Sequence, residues 1–162
     1  MKRKRLRGVM SAAFLYTDGA CLGNPGPGGW AYVLVTDRGQ VEDSGGDPYT
    51  TNNKMELIGA IEGLAATPVG SEVVVVTDSE YLRNGMTSWT RTWQRNGWRT
   101  STGSPVKNKD LWQALLELVS RRTVRWHWVR GHVPDALGGD ALNRHCDELA
   151  RAAARAAAAK AR

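Results

Sequence analysis

The chain has few cysteines, no long apolar run, no internal repeat and one long stretch without acids. Its two cysteines among 162 residues, Cys21 and Cys146, have no metal-ligand spacing. They are expected to be reduced and structural, which leaves disulfide scaffolds aside. No apolar segment approaches the roughly 20 residues of a membrane-spanning helix, so no membrane association is expected. The start, MKRKRLRGVMSAAFLYTDG, is basic and then mildly apolar, but its apolar part runs straight into Asp18. A secretory signal would need a longer apolar region and a cleavage site, and the expected location is the cytoplasm. With no repeat and this length, one domain with a sizeable core is expected. No obligate protein partner is evident, and a monomer is the default.

The missing acids point to a ligand. Tyr81 to Lys109 contains no Asp or Glu, yet holds Arg83, Arg91, Arg95, Arg99, Lys107 and Lys109. The formal net charge is +6, and Lys2, Arg3, Lys4, Arg5 and Arg7 alone supply five of those charges. Basic blocks of this kind suit an anionic polymer.

What is present reads as an α/β pattern. Ala13–Asp18 is an expected strand, and GNPGPGG at Gly23–Gly29 an expected turn. Trp30–Asp37 and Gln40–Asp47 read as a hairpin about Arg38-Gly39. Leu57, Ile58, Ile61, Leu64 and Ala65 have helical spacing within an expected helix Thr51–Ala66, stopped by Pro68 and Gly70. Glu72–Thr77 is a continuous apolar strand of the doubly covered kind. Short helices are expected at Ser79–Met86 and Trp89–Gln94, a polar loop at Asn96–Val106, a helix at Lys109–Arg121 and a strand at Val124–Val129. After a loop at Val133–Gly139, Asp140 is an expected N-cap of the last helix. The alanine-rich end of that helix has propensity but no evident core face, so fraying is expected. Strands first and helix–strand alternation afterwards imply a mixed sheet with helices on both faces.

Four acids stand out in this pattern. Asp18 and Asp78 follow the apolar runs of FLYTDGA and VVVVTDSE, while Glu56 and Asp147 fall on expected helices. If the Glu72 strand lies beside the Ala13 strand and parallel to it, the right-handed crossover rule brings their C-terminal ends together. Neighbouring strands are roughly 4.8 Å apart, so Asp18 and Asp78 would converge where α/β folds place ligands. Four such carboxylates repel one another unless a cation neutralises them. The cation suited to an all-oxygen site is Mg²⁺, with Mn²⁺ as a substitute, and the chemistry it serves is most often that of phosphates.

At these residues the chain resembles ribonuclease H of type 1, the bacterial ribonuclease HI group. The stretches YTDGACLGNPGPGGW, TTNNKMELIGAIEGL, VVTDSEYLRNGM, PVKNKDLW, WHWVRGH and CDELAR keep the family's order over almost the whole chain. The resemblance implies the ribonuclease H-like fold: a five-stranded mixed sheet, three antiparallel strands then two parallel, with helices on both faces. Around a ribonuclease H domain at 11–153, composition marks a basic disordered arm at 1–10 and an alanine-rich basic helical tail at 154–162. The resemblance also implies endonucleolytic hydrolysis of the RNA strand of an RNA–DNA hybrid, with two Mg²⁺ ions, leaving 3′-hydroxyl and 5′-phosphate ends.

The same resemblance assigns residues. Asp18, Glu56, Asp78 and Asp147 match the metal-binding acids, with Asp18 bridging both ions, and His132 matches the catalytic-loop histidine. Cys21, Gly23, Asn24, Asn52 and Glu80 match positions that read RNA 2′-hydroxyls. Thr51 and Asn24 match a DNA phosphate pocket, Trp89 an aromatic on a deoxyribose, and Arg91, Arg95 and Lys107 a handle that tracks phosphates. The chain departs from the family in VPDALGGDAL, between His132 and Asn143, which is longer than the common form and lacks a second histidine. Trp93 is expected to pack the handle together, and Asn24, Thr51 and Asn52 also suit turn and cap roles. Two rivals are a binder that lost its chemistry and another nuclease on the same scaffold, such as a junction resolvase or a transposase-like enzyme.

Overall fold

The computed structural model describes residues 12–130 and 139–161. The basic arm at 1–10, His132 and nearly all of the loop expected at Val133–Gly139 lie outside the described residues. Five strands form one sheet: β1 (Ala13–Cys21), β2 (Gly26–Thr36), β3 (Gly39–Thr50), β4 (Glu72–Thr77) and β5 (Thr123–Trp128). Their order is β3-β2-β1-β4-β5. β1 and β3 both run antiparallel to β2, while β4 is parallel to β1 and to β5. This is the mixed sheet expected.

Helices cover both faces. On one lie α1 (Asn52–Ala65), α2 (Glu80–Asn84), α3 (Thr90–Arg95) and α4 (Lys109–Ser120); on the other lies α5 (Gly139–Ala161). The first face centres on Leu15, Leu57, Leu64, Val75, Trp112 and Leu115, all fully buried. The second centres on Tyr16, Val33, Val76, Cys146 and Ala150. Alternation along β1 explains the split, because Leu15 and Tyr16 must point to opposite faces.

Several boundaries differ from the sequence reading, each for a packing reason. Gly26–Gly29, expected in a turn, belong to β2, which pairs Gly28 with Cys21 of β1 and Gly26 with Thr50 of β3. β1 therefore runs three residues past Asp18, and β3 runs on to Thr50. The glycines serve as seats for neighbouring elements. A methyl at Gly29 would stand 2.3 Å from the Ala150 carbonyl oxygen of α5 and 2.5 Å from the Ala154 nitrogen. At Gly46 the same methyl would meet the Ala153 carbonyl at 2.8 Å.

The alanine-rich end of α5 consequently has a core face, contrary to expectation. Ala154 is fully buried and Ala157 nearly so. Small residues on the helix meet glycines on β2 and β3, and the backbones approach more closely than larger side chains would permit. Asp140 lies inside the first turn of α5 and is not its N-cap.

The two short helices expected after β4 form one run through a π-turn at Gly85–Trp89. The Thr90 hydroxyl donates to the Gly85 carbonyl, five residues back, at 2.9 Å. Gly85 is pressed against the Trp112 ring, where a methyl would stand 1.9 Å from a ring carbon. The basic handle that follows is tied by aromatic contacts: Trp93 lies 5.8 Å from Trp89, 6.0 Å from Trp98 and 5.8 Å from Trp112 between ring centroids. Trp93 thus packs as expected. The Asn96–Val106 loop folds back on itself, with the Thr100 amide donating to Ser104 at 2.7 Å and the Val106 amide to Trp98 at 3.1 Å.

Gly29→Ala tests the seating of α5. The methyl meets backbone that cannot swing aside, so the variant is expected to lose about 1–3 kcal/mol of stability, the usual cost of overpacking. Urea denaturation of the two proteins measures it.

Candidate active site

The register of β1 and β4 places the first two acids. Tyr16 pairs with Val76 in the parallel ladder, and Asp18 and Asp78 each lie two residues further on. α1 places the third. Thr51 caps that helix, its hydroxyl accepting from the Lys54 amide at 3.2 Å, and Glu56 follows little more than one turn later. Two glycines bring α1 against β1. A methyl on Gly19 would stand 2.5 Å from the Glu56 nitrogen, and one on Gly59 would stand 2.8 Å from the Asp18 carbonyl oxygen.

As a result one carboxylate oxygen each from Asp18, Glu56 and Asp78 lies within 4.8 Å of the others. Asp147 approaches from α5, near enough for its charge to act on Asp18. It forms an ion pair with Arg151, Nε to Oδ2 3.1 Å. Burial, then the charge of Asp78, push the pKa of Asp18 up to about 8, against the opposing effect of the Gly19 amide that donates to it at 2.8 Å.

Glu56 and Asp78 are displaced in the same direction. Burial raises Glu56 most, and the charge of Asp78 adds to it, while hydrogen bonds from Ser79 and Asn52 oppose the shift. Burial also leads for Asp78, with Asp147 adding and the residue's own amide opposing. Asp78 is the exposed member of the three, so the cluster opens to solvent on its side. The donors are all carboxylate oxygen, they lie close together, and their charged forms are disfavoured without a partner. That set fits a hard divalent cation.

Ser79 is a site residue that the sequence reading missed. Its hydroxyl donates to Glu56 Oε1 and accepts from the Leu82 amide at 3.1 Å, so the N-cap of α2 also orients a carboxylate of the cluster. A serine directly before a helix was a legible capping signal; its second partner, 23 residues earlier, was not. Arg151, one turn beyond Asp147 in CDELAR, was likewise missed, although the i, i+4 spacing of an acid and a base on a helix indicated the pair.

The other residues singled out divide into those near the cluster and those on the handle. The Cys21 thiol lies 3.4 Å from the Thr50 carbonyl oxygen and 3.5 Å from that of Gly26. Gly23 has a φ of +81°, in the left-handed region. The Asn24 side-chain oxygen accepts from the Asn52 amide at 3.0 Å, joining the β1–β2 bend to the start of α1. Asn24, Thr51 and Asn52 therefore hold structural bonds on the rim of the site. Glu80 is exposed at the start of α2. Trp89 is half-buried, its ring 5.7 Å from Tyr81 and 5.8 Å from Trp93. Arg91 donates to the Thr87 carbonyl at the handle's base, and Arg95 and Lys107 are exposed further along it. Cys146 donates to the Tyr16 and Ala31 carbonyls at 3.5 Å each, and burial pushes its thiol well above the ordinary value. It is a packing residue beneath Asp18.

Comparison with known proteins places this arrangement. A family model described as RNase H matches residues 10–155. Ribonuclease H of Pseudoalteromonas atlantica is 51% identical over 140 residues, 86% of this chain and 88% of that protein. Ribonuclease HI of Pseudomonas syringae pv. tomato is 52% identical over 136 residues, 84% of this chain and 87% of its own. Among solved structures, LC9-RNase H1, described as a type 1 RNase H with the type 2 active-site motif, superposes with a TM-score of 0.76 at 33% identity, covering 90% of this chain and 72% of that one. With the family's sequence running through nearly its whole length and three converging acids at the end of its central strands, this chain belongs to the ribonuclease H family, within the bacterial ribonuclease HI group.

Proposed function

We propose that this protein is an endonuclease that hydrolyses the RNA strand of RNA–DNA hybrids with Mg²⁺ as its cofactor, leaving 3′-hydroxyl and 5′-phosphate ends. One observation carries the reading: Asp18, Glu56 and Asp78 reach one point from two strand ends and a helix, in a chain of the ribonuclease H family. A binder that had lost its chemistry would not be expected to retain a set of acids whose charges the fold itself disfavours.

Asp18, Glu56, Asp78 and Asp147 are the residues that would hold Mg²⁺. When bound there, Mg²⁺ neutralises charge on the phosphodiester and lowers the pKa of water for attack on phosphorus. Asp18 is central because its carboxylate lies within 4.8 Å of those of Glu56 and Asp78 and also feels the charge of Asp147. Ser79 and Asn52 fix the orientation of Glu56. His132 is assigned to proton transfer or product departure, for which an ordinary imidazole pKa is suited.

Substrate choice follows from the rim. Cys21, Gly23, Asn24, Asn52 and Glu80 are assigned to the RNA strand, whose 2′-hydroxyls lie in a wide, shallow minor groove. Asn24 and Thr51 are assigned to a DNA phosphate, Trp89 to a deoxyribose face, and Arg91, Arg95 and Lys107 to further phosphates. Contacts of this kind are largely independent of base sequence and weaken with salt.

Labelled hybrid, double-stranded RNA and double-stranded DNA, each incubated with Mg²⁺ or with chelator, test the reading. Cleavage of hybrid alone, abolished by chelator, is the expected result; cutting of duplex DNA or of branched junctions would favour the rival nucleases. Asp18→Asn is expected to lower the rate of hybrid cleavage at least about 10²-fold, since several kcal/mol of charge stabilisation depend on that carboxylate.

The electrostatics give a prediction that needs no substrate. The pKa of Asp18 is raised from an ordinary 3.8 to about 8 in the metal-free protein. Between these values the folded state holds a proton that the unfolded state has released. Metal-free stability should therefore fall as pH rises from about 4 to about 8, then level off. Thermal melts in chelator should show that decline, and Asp18→Asn should make it shallower, the raised Glu56 and Asp78 supplying what remains. At pH 8 the variant should melt higher than the parent, with each 1 kcal/mol relieved worth about 2–4 °C in a domain of this size.

A further inference from the structure

Next to the acid cluster lies a hollow of about 250 Å³, bordered by Asp78, Ser79, Glu80, Arg83, Trp128 and Arg130. Arg83 enters it from the last turn of α2, and Arg130 from just beyond the C-terminal end of β5. Neither guanidinium has a carboxylate partner among the described residues, whereas Arg121 and Arg151 each do. The acids of the hollow are Asp78, which belongs to the cluster, and Glu80 at its rim. Once a divalent cation neutralises Asp78, the two arginines leave the hollow net positive. Its indole wall, Trp128, stacks on Trp126 with 5.0 Å between ring centroids.

We propose that this hollow is a phosphate subsite for the cleaved RNA strand, in which Arg83 and Arg130 grip a phosphate neighbouring the scissile one. The proposal rests on the hybrid-cutting function given above. Continuity with Asp78 is what selects the strand: a group in the hollow stands beside whatever occupies the carboxylates, while the opposite strand lies a groove's width away. Paired planar guanidinium groups match phosphate oxygens in geometry as well as charge. Gripping the strand beside the cut restrains the scissile phosphodiester against sliding, which makes Arg83 and Arg130 positioning residues.

The test combines protein and substrate changes. Hybrids are prepared in which a single RNA phosphate near a defined cut is replaced by a neutral methylphosphonate, one position at a time. Binding is read by fluorescence anisotropy in Ca²⁺, and cleavage by KM and kcat in Mg²⁺. In the parent, neutralising one flanking position should weaken binding about tenfold, the usual scale for a charged hydrogen bond. Arg83→Ala with Arg130→Ala should raise KM more than it lowers kcat, lower the salt slope by about 1, since one phosphate contact is lost, and be insensitive to that one substitution while remaining sensitive to others. Arg83→Lys with Arg130→Lys, which keeps charge and fold, should recover part of the loss, and Arg121→Ala should match the parent. A double variant with parental KM, or one that still senses every neutralised phosphate as the parent does, overturns the subsite. A parent that leaves unmodified hybrid uncut overturns the function on which it rests, a result visible before any variant is made.

Discussion

Placing carboxylates side by side and partly out of water costs free energy, and most of the design of this fold can be traced to that cost. Asp18 is the clearest case: burial and the neighbouring acid hold its proton on to about pH 8. An isolated arrangement of this kind would relax by moving apart. Here it cannot, because Asp18 and Asp78 stand two residues beyond the end of a parallel ladder of backbone hydrogen bonds, and Glu56 sits on a helix lying directly on β1. The apolar packing of Leu15, Leu57, Leu64 and Val75 on that face holds the acids at a spacing they would not choose. A divalent cation then removes the penalty and gains a site prepared for it.

The two faces of the sheet divide the work. One carries α1 and the aromatic group around Trp112 and Trp93, from which the basic handle projects. The other carries α5, seated on Gly29 and Gly46 so closely that a methyl on either glycine would collide with the helix backbone. That seating presents Asp147 to Asp18 across the sheet edge, with Cys146 neutral and packed beneath. Arg151 holds the outer side of Asp147. An exposed pair of this type adds little to stability, but it gives the most peripheral acid a defined direction.

Ser79 shows how one residue can serve both fold and site. Its hydroxyl accepts from the Leu82 amide in the first turn of α2 and donates to Glu56. The start of a helix and the orientation of a carboxylate therefore depend on the same oxygen. Asn24 is similar in kind, linking the bend after β1 to the first residue of α1. The rim assigned to substrate is in this way rigid before substrate arrives, which lowers the ordering cost of binding.

Much of this was legible along the chain. The apolar runs that end at Asp18 and Asp78, the helical spacing around Glu56 and the crossover rule suffice to bring three acids to one sheet edge, since local pattern and handedness are properties of short segments. The family motifs lie along the same segments. What the sequence could not convey was partnership between distant groups. A glycine-rich bend and an alanine-rich tail each read locally as weak structure, and only their contact turns both into a close-packed layer. Ser79 signals a cap but not the acid it touches, and Arg83 and Arg130, 47 residues apart, share a hollow only because α2 and β5 end on the same side of the sheet. Local propensity is set by each residue's own chemistry, whereas these pairings depend on where the folded backbone carries it.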